Sequence, residues 1–329
     1  MVRFGVVGTN WITEAFIKGA SNQNDFHLAA VYSRTEERAA GFADKFEVKN
    51  TFTDIEQMAK SDVIDAVYIA SPNSLHARHA ISFMKNGKHV LCEKAIAANS
   101  QELAMMIQTA KEHNVLLMEA LKSTLMPNFK AVQENLHKIG TVRRYFASYC
   151  QYSSRYDAYK AGTVLNAFNP AFAAGSLMDI GIYCVYPLVV LFGEPESVQA
   201  NGHVLESGVD GEGSLLLKYD GMDAVIMFSK ITDSTLPSEI HGEEGNIRID
   251  KISTPEKVEI IYRGGEVEDL TRAQITDNMF YEADEFIRLI QEGKTESVNN
   301  SLKNSRITMK ILDEARRQLG VKFQNDQQE

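Results

Sequence analysis

The first ~120 residues alternate short apolar runs with stretches of helical periodicity, and that alternation admits few folds. Val2–Val7, Leu28–Tyr32, Ala66–Ala70, His89–Cys92 and Val115–Met118 are candidate strands. Between them, Ala77, Ala80, Ile81 and Met84 stand at i, i+3, i+4, i+7, as do Leu103, Met106, Ile107 and Ala110. Strands joined through helices pair in parallel, so this stretch predicts a doubly wound α/β sheet. The C-terminal ends of its strands open on a ligand crevice.

The texture changes near Pro127. Val142–Tyr152, Ser197–Leu205, Gly213–Tyr219, Ala224–Ser229 and Val258–Tyr262 read as strands, with turns at Asp220–Gly221 and Glu244–Gly245. Strands separated by turns predict a largely antiparallel open sheet in an α+β domain. Phe280, Ala283, Ile287 and Ile290 mark one closing helix. Ile307, Ile311, Ala315 and Leu319 mark another, ended by Gly320. A chain of 329 residues exceeds one ordinary core, so we expect two domains, 1–120 and 121–329.

Charge and cysteine usage narrow the function. A net charge of −10 argues against a nucleic-acid partner, which needs a basic face. Cys92, Cys150 and Cys184 show no CxxC spacing and fit the reducing cytoplasm. No signal-peptide pattern follows the first apolar run, and no segment approaches the ~20 apolar residues of a membrane span. No metal and no membrane partner are expected. The polar tail Gln324–Glu329 is expected to fray.

After the first strand comes Gly8-Thr9-Asn10-Trp11-Ile12-Thr13, where a dinucleotide fold carries G-x-G-x-x-G; only the first glycine is present. Gly8 makes the tight turn, Asn10 is expected to tolerate a left-handed backbone, and the helix amides that follow face a pyrophosphate. The second strand ends in Ser33-Arg34, without the acid that binds the ribose 2′-hydroxyl of NAD. A hydroxyl and a guanidinium suit a 2′-phosphate, so NADP is expected in preference to NAD.

Ser71, Asn73 and His76 follow the third strand, and Glu93-Lys94 end the fourth, all at the crevice end of such a sheet. In Gly175–Tyr183 and beyond, Leu177, Ile180, Cys184, Leu188 and Leu191 share one helical face. Asp179 and Tyr183, at i and i+4, share the other, and Pro187 predicts a bend. Alcohol oxidation needs a base for the hydroxyl proton. A phenol (reference pKa ~10) whose pKa a neighbouring ammonium lowers, and a lysine (~10.4) whose pKa burial lowers, supply one, with Asp179 to orient either group.

These residues resemble the Gfo/Idh/MocA oxidoreductases over nearly the whole chain. The marks are Ser33-Arg34, Ser71 through His76, Gly87 through Lys94, and Gly175 through Tyr183. Met118-Glu119-Ala120 and Gly175–Val185 look most like the dimeric dihydrodiol and xylose dehydrogenase branch. The resemblance implies Lys94, Asp179 and Tyr183 as catalytic residues, and dinucleotide contacts at Ser33, Arg34, Ser71, Asn73, His76, Glu93 and Lys94. It also implies a sugar or polyol substrate, and a second domain that forms a homodimer or higher homo-oligomer. Asn10 and Thr13 depart from the glycine loop, and Ala95 replaces the proline after the lysine. Thr124 and Met126 stand where the branch often has Arg and an aromatic or His. The expected function is NAD(P)-dependent hydride transfer to or from a hydroxyl or carbonyl carbon. The alternatives are an NAD-retaining redox glycosidase and a non-catalytic dinucleotide-binding regulator.

Overall fold

In the computed structural model, which describes residues 1–327, strand β1 (Val2–Val7) leads through Gly8 into helix α1 (Trp11–Ala20). Then come β2 (Phe26–Tyr32), α2 (Glu36–Asp44), β3 (Asn50–Phe52), α3 (Ile55–Lys60) and β4 (Ala66–Ile69). α4 (Asn73–Lys85), β5 (His89–Glu93), α5 (Ser100–Glu112) and β6 (Leu117–Ala120) complete the run. Asn10, Thr35, Asp54 and Asn99 accept backbone N–H groups at the starts of α1, α2, α3 and α5, which is why those helices begin where they do.

The six strands are parallel in the order β3-β2-β1-β4-β5-β6, the arrangement of a dinucleotide-binding sheet. Chain direction across the sheet reverses between β1 and β4. The register sets Val7 beside both Tyr32 and Ile69, so the residues after β1, β2 and β4 emerge at one sheet end. β6 lies two residues later than its apolar run suggests. Buried Glu119 belongs to the strand because its carboxylate accepts the Ile96 N–H at 3.0 Å.

The second unit contains α6 (Pro127–Asn135), β7 (Val142–Cys150), α7 (Tyr156–Lys160) and α8 (Ile182–Phe192). Seven further strands follow: β8 (Ser197–Val204), β9 (Asp210–Tyr219), β10 (Met222–Ser229), β11 (Ser238–Gly242), β12 (Gly245–Ile249), β13 (Val258–Tyr262) and β14 (Val267–Asp269). They form one sheet in the order β14-β13-β12-β11-β7-β10-β9-β8, antiparallel except for the parallel pair β7–β10. Gly221, at φ +75, closes the two-residue β9–β10 hairpin between paired Tyr219 and Met222.

One sheet face carries buried Tyr145, Ala147, Leu215, Leu217, Ala224 and Ile226, and the Tyr145 hydroxyl donates to the Cys184 carbonyl of α8 at 3.0 Å. The expected two-faced helix is therefore a core helix, buried on nearly every side. Leu191 is only partly buried, while Met178, Ile182 and Val185 are fully so. α8 continues through Pro187, and the irregularity lies earlier, in a π turn over Leu177–Gly181. Contrary to the sequence reading, Pro170–Phe192 is long and apolar enough to cross a membrane. Its most apolar window is 72% buried within the fold, as befits a core helix.

The chain departs from a single boundary at 120. The first unit takes in Met1–Lys122 and also Ile275–Ser305. The second is Ser123–Gln274 and the chain from Arg306 onward. The returning segment carries α9 (Phe280–Gln291), and α10 (Leu302–Leu319) follows. α9 returns because α1 offers it an apolar seat. Phe286 lies 5.8 Å from the Phe4 ring, and a Cβ on Gly19 would come within 2.7 Å of the Phe280 nitrogen. Gln324–Gln327 is a short 3₁₀ turn, with Asp326 paired to buried Arg316, and is not frayed; 328–329 lie outside the described residues.

Candidate active site

In the first unit the phosphate loop is shaped by two contacts to one carbonyl. Gly8 has φ +113, and a Cβ there would stand 2.7 Å from the Ala70 oxygen, so only glycine fits the end of β1. Asn10 donates to the same Ala70 oxygen at 3.0 Å. Its backbone is extended, at φ −106, and not left-handed as expected. The side-chain oxygen instead caps α1, accepting the amides of Ile12 and Thr13 at 3.1 and 3.2 Å. Asn10 thus does by capping what a second glycine does by conformation. Trp11 is 68% exposed beside it. Thr9 and Ser33 hydroxyls stand 3.4 Å apart, tying this loop to the end of β2, where Arg34 is exposed. A helix N-terminus, a glycine that admits a close ligand and an exposed guanidinium together fit a dinucleotide phosphate.

Around β4 and β5 the expected contacts divide into surface and support. His76 is fully buried, one ring nitrogen 2.7 Å from the Ser71 carbonyl and the other 2.9 Å from that of Ala95. The two carbonyls favour a protonated ring, but burial prevails and pushes His76 down to about 4. It is therefore a strut between two turns, both ring nitrogens engaged by main-chain carbonyls. Ser71 also meets the ring of buried His79, at 3.1 Å, and Asn73 opens α4. The peptide between Lys94 and Ala95 is cis.

Glu93 is buried. It accepts the Tyr68 hydroxyl and, at 3.3 Å, the Lys94 amide, so it fixes the strand end from which Lys94 projects. Burial raises its carboxyl above the usual range, with Lys94 pulling the other way. Two neighbours went unread in the sequence. Lys122 is largely buried, its pKa lowered by burial, and donates to Asn278 at 2.7 Å. Glu282 of α9 is fully buried and raised well above normal, again by burial. The available signal was its place one turn before Phe286 on the apolar side of α9.

The second unit presents a separate group of side chains. Asp179 lies in the π turn and Tyr183 one turn on, both partly exposed in an otherwise buried run. Tyr183 packs edge-on against Tyr149 of β7, with ring centroids 5.9 Å apart. Asp210 is fully buried and accepts the Leu177 amide at 2.6 Å, which anchors the start of the turn. Burial pushes this carboxyl up to about 6. Gly175, at φ +135, is obligatory, because a Cβ would fall 2.3 Å from Asp210 Oδ1. Asp179 forms an ion pair with Lys230, a nearly buried residue just after β10 that a sequence reading takes for an ordinary surface lysine. Tyr156 and Tyr159 pack on Phe168 with ring centroids 5.7 and 5.3 Å away, and Arg155 and Asn166 are exposed. Among the described residues, no three His, Cys, Asp or Glu side chains are placed to hold a metal ion.

Residues 2–121 match the model of an oxidoreductase family with an NAD-binding Rossmann fold, and residues 131–248 match the GFO/IDH/MocA C-terminal domain. The chain belongs to the GFO/IDH/MocA family. It is 56% identical over 327 residues to scyllo-inositol 2-dehydrogenase (NADP(+)) IolU of Bacillus subtilis (strain 168), covering 99% of this chain and 100% of that protein. It is 32% identical to trans-1,2-dihydrobenzene-1,2-diol dehydrogenase of Xenopus tropicalis, over 98% and 99% of the two chains. Levoglucosan dehydrogenase in complex with NADH shares the fold at a TM-score of 0.85 and 20% identity, over 97% of each chain. As a GFO/IDH/MocA member, the protein is an NAD(P)-dependent oxidoreductase acting on a hydroxyl or carbonyl of a sugar, polyol or related compound.

Proposed function

We propose that the protein interconverts a ring hydroxyl of a cyclic polyol and the corresponding ketone, with NADP preferred to NAD. The observation that carries this reading is the identity, 56% over 99% of the chain, to an NADP-dependent scyllo-inositol 2-dehydrogenase. Exposed Arg34 after β2 supports the choice of cofactor, since a 2′-phosphate needs a cation there.

The bound nicotinamide would supply the hydride acceptor or donor. Gly8, Thr9, Asn10, Trp11 and Ile12 shape the phosphate loop, with Ser33 and Arg34 on the adenosine side and Ser71, Asn73 and Glu93 along the strand ends. Lys94 and Tyr183 handle the proton that leaves the substrate hydroxyl in oxidation and returns in reduction. Lys94 offers its ammonium to the substrate oxygen, Tyr183 gives or takes the proton, and Asp179, one turn earlier, orients Tyr183. Glu93 and His76 hold the backbone that presents Ser71 and Lys94, and the His79 ring meets the Ser71 hydroxyl. We further propose a cytoplasmic homodimer built on the open sheet of the second unit.

The test is a panel of inositols, aldoses and polyols assayed with NADP and NAD, followed by nicotinamide absorbance. Activity should be greatest on a cyclic polyol with NADP, and Tyr183→Phe should lower turnover by about 100-fold or more without weakening NADPH binding. A best substrate outside the cyclic polyols would overturn the substrate assignment, and full activity in Tyr183→Phe would overturn the phenol's role.

A further inference from the structure

Lys230 is 6% exposed as a side chain, and a lysine so placed needs a reason. Its ammonium lies over the Phe168 ring, 5.8 Å from the centroid. Its main chain is pinned on both sides. The amide donates to the Gly211 carbonyl at 2.9 Å, and the carbonyl accepts the Ser153 amide at 2.9 Å. The preceding Ser229 hydroxyl caps the turn, accepting the amides of Ile231 and Thr232 at 3.2 and 2.9 Å. The ammonium is thus delivered to a fixed point, and at that point it meets Asp179.

The partner is the more exposed of the two. Asp179 is 42% exposed and sits in a π turn whose anchor, the Asp210 bond to the Leu177 amide, lies two residues earlier. Paired with Lys230, it keeps one rotamer. We propose that Lys230 is a positioning residue for the reaction: its fixed ammonium locks Asp179 in the orientation that sets Tyr183. This rests on the reading of Asp179 and Tyr183 given above and adds a residue on a different strand to it.

The pair is asymmetric, and the asymmetry makes it testable. Lys230→Met leaves an uncharged side chain of similar length over Phe168 and a carboxylate that water can reach, so the fold survives. Asp179→Asn strands a buried ammonium and should be the less stable variant. Turnover in Lys230→Met should fall about 10- to 100-fold, the scale of a misplaced catalytic group. KM for the polyol and the affinity for NADPH should stay within about two-fold, and Lys230→Arg should recover most of the loss. The double variant Asp179→Asn/Lys230→Met should turn over no more slowly than Asp179→Asn alone, because the lysine acts only through the aspartate. Turnover within about two-fold of native in Lys230→Met, or losses that multiply in the double variant, would overturn the proposal. Tyr183→Phe, assayed in the same series, separates the two readings. Full activity there removes the phenol's role, whereas the cycle between Asp179 and Lys230 stands or falls on its own numbers.

Discussion

Arg34 stands exposed where β2 ends, next to a nearly buried Ser33, and a 2′-phosphate is the one group that NADP has and NAD lacks. Replacing Arg34 with Ala should weaken NADPH about ten-fold or more and leave NADH within two-fold, since only NADPH loses a charge-assisted bond. Trp11 is the sole tryptophan and is largely exposed at the start of α1, so its fluorescence reports the titration directly. His79 carries a second consequence. Burial pushes it down to about 4 from its usual 6.5, so it contributes stability above pH 6.5 that is lost as pH falls towards 4. His79→Gln removes that dependence. The stability gap between native protein and variant, read from urea midpoints, should narrow by about 2 kcal/mol between about pH 7 and about pH 4.5. Which residues stand at the strand ends was readable from the apolar runs before them. Which of them are struts was not, because His76 and Glu93 each also bond a group on another element, Ala95 and Tyr68.

The π turn Leu177–Gly181 carries Asp179 and leads directly into the helix that carries Tyr183. Its entry glycine leaves no freedom: Gly175→Ala adds a Cβ against Asp210 and strains a positive φ. The cost should be about 2 kcal/mol or more in a urea melt, accompanied by lower turnover as Asp179 shifts. Helical periodicity placed Asp179 and Tyr183 together but assigned too narrow a buried face, because the helix packs on a sheet the sequence only partly revealed. β13 and the β9–β10 hairpin were legible from apolar runs and Asp220–Gly221. β3 is three residues long, β11 holds a single fully buried apolar residue, and β12 begins at a glycine, so none of the three offered a run to read. Lys230 was silent for another reason, since one lysine after a strand carries no pattern.

Across the second sheet, the face opposite α8 carries Leu216, Val225 and Phe146 in one cross-strand row, with Met227 beside it; Leu216 is 52% and Met227 37% exposed. An apolar row on an open sheet suits an isologous partner, so light scattering at micromolar concentration should report a dimer. Leu216→Asp with Met227→Asp should yield monomers that still bind NADPH. The alternation of runs gave the first unit nearly entire, but not that it is finished by residues from the other end of the chain. That late contribution bears on how the protein is made. Lys122 and Ile275 are separated by 152 residues, all of them belonging to the second unit. At about 5–20 residues per second, a ribosome takes roughly 8 to 30 seconds to cross that interval. Throughout it the nascent nucleotide sheet exists with Phe4 and the Gly19 side of α1 uncovered, and only the emergence of α9 closes them.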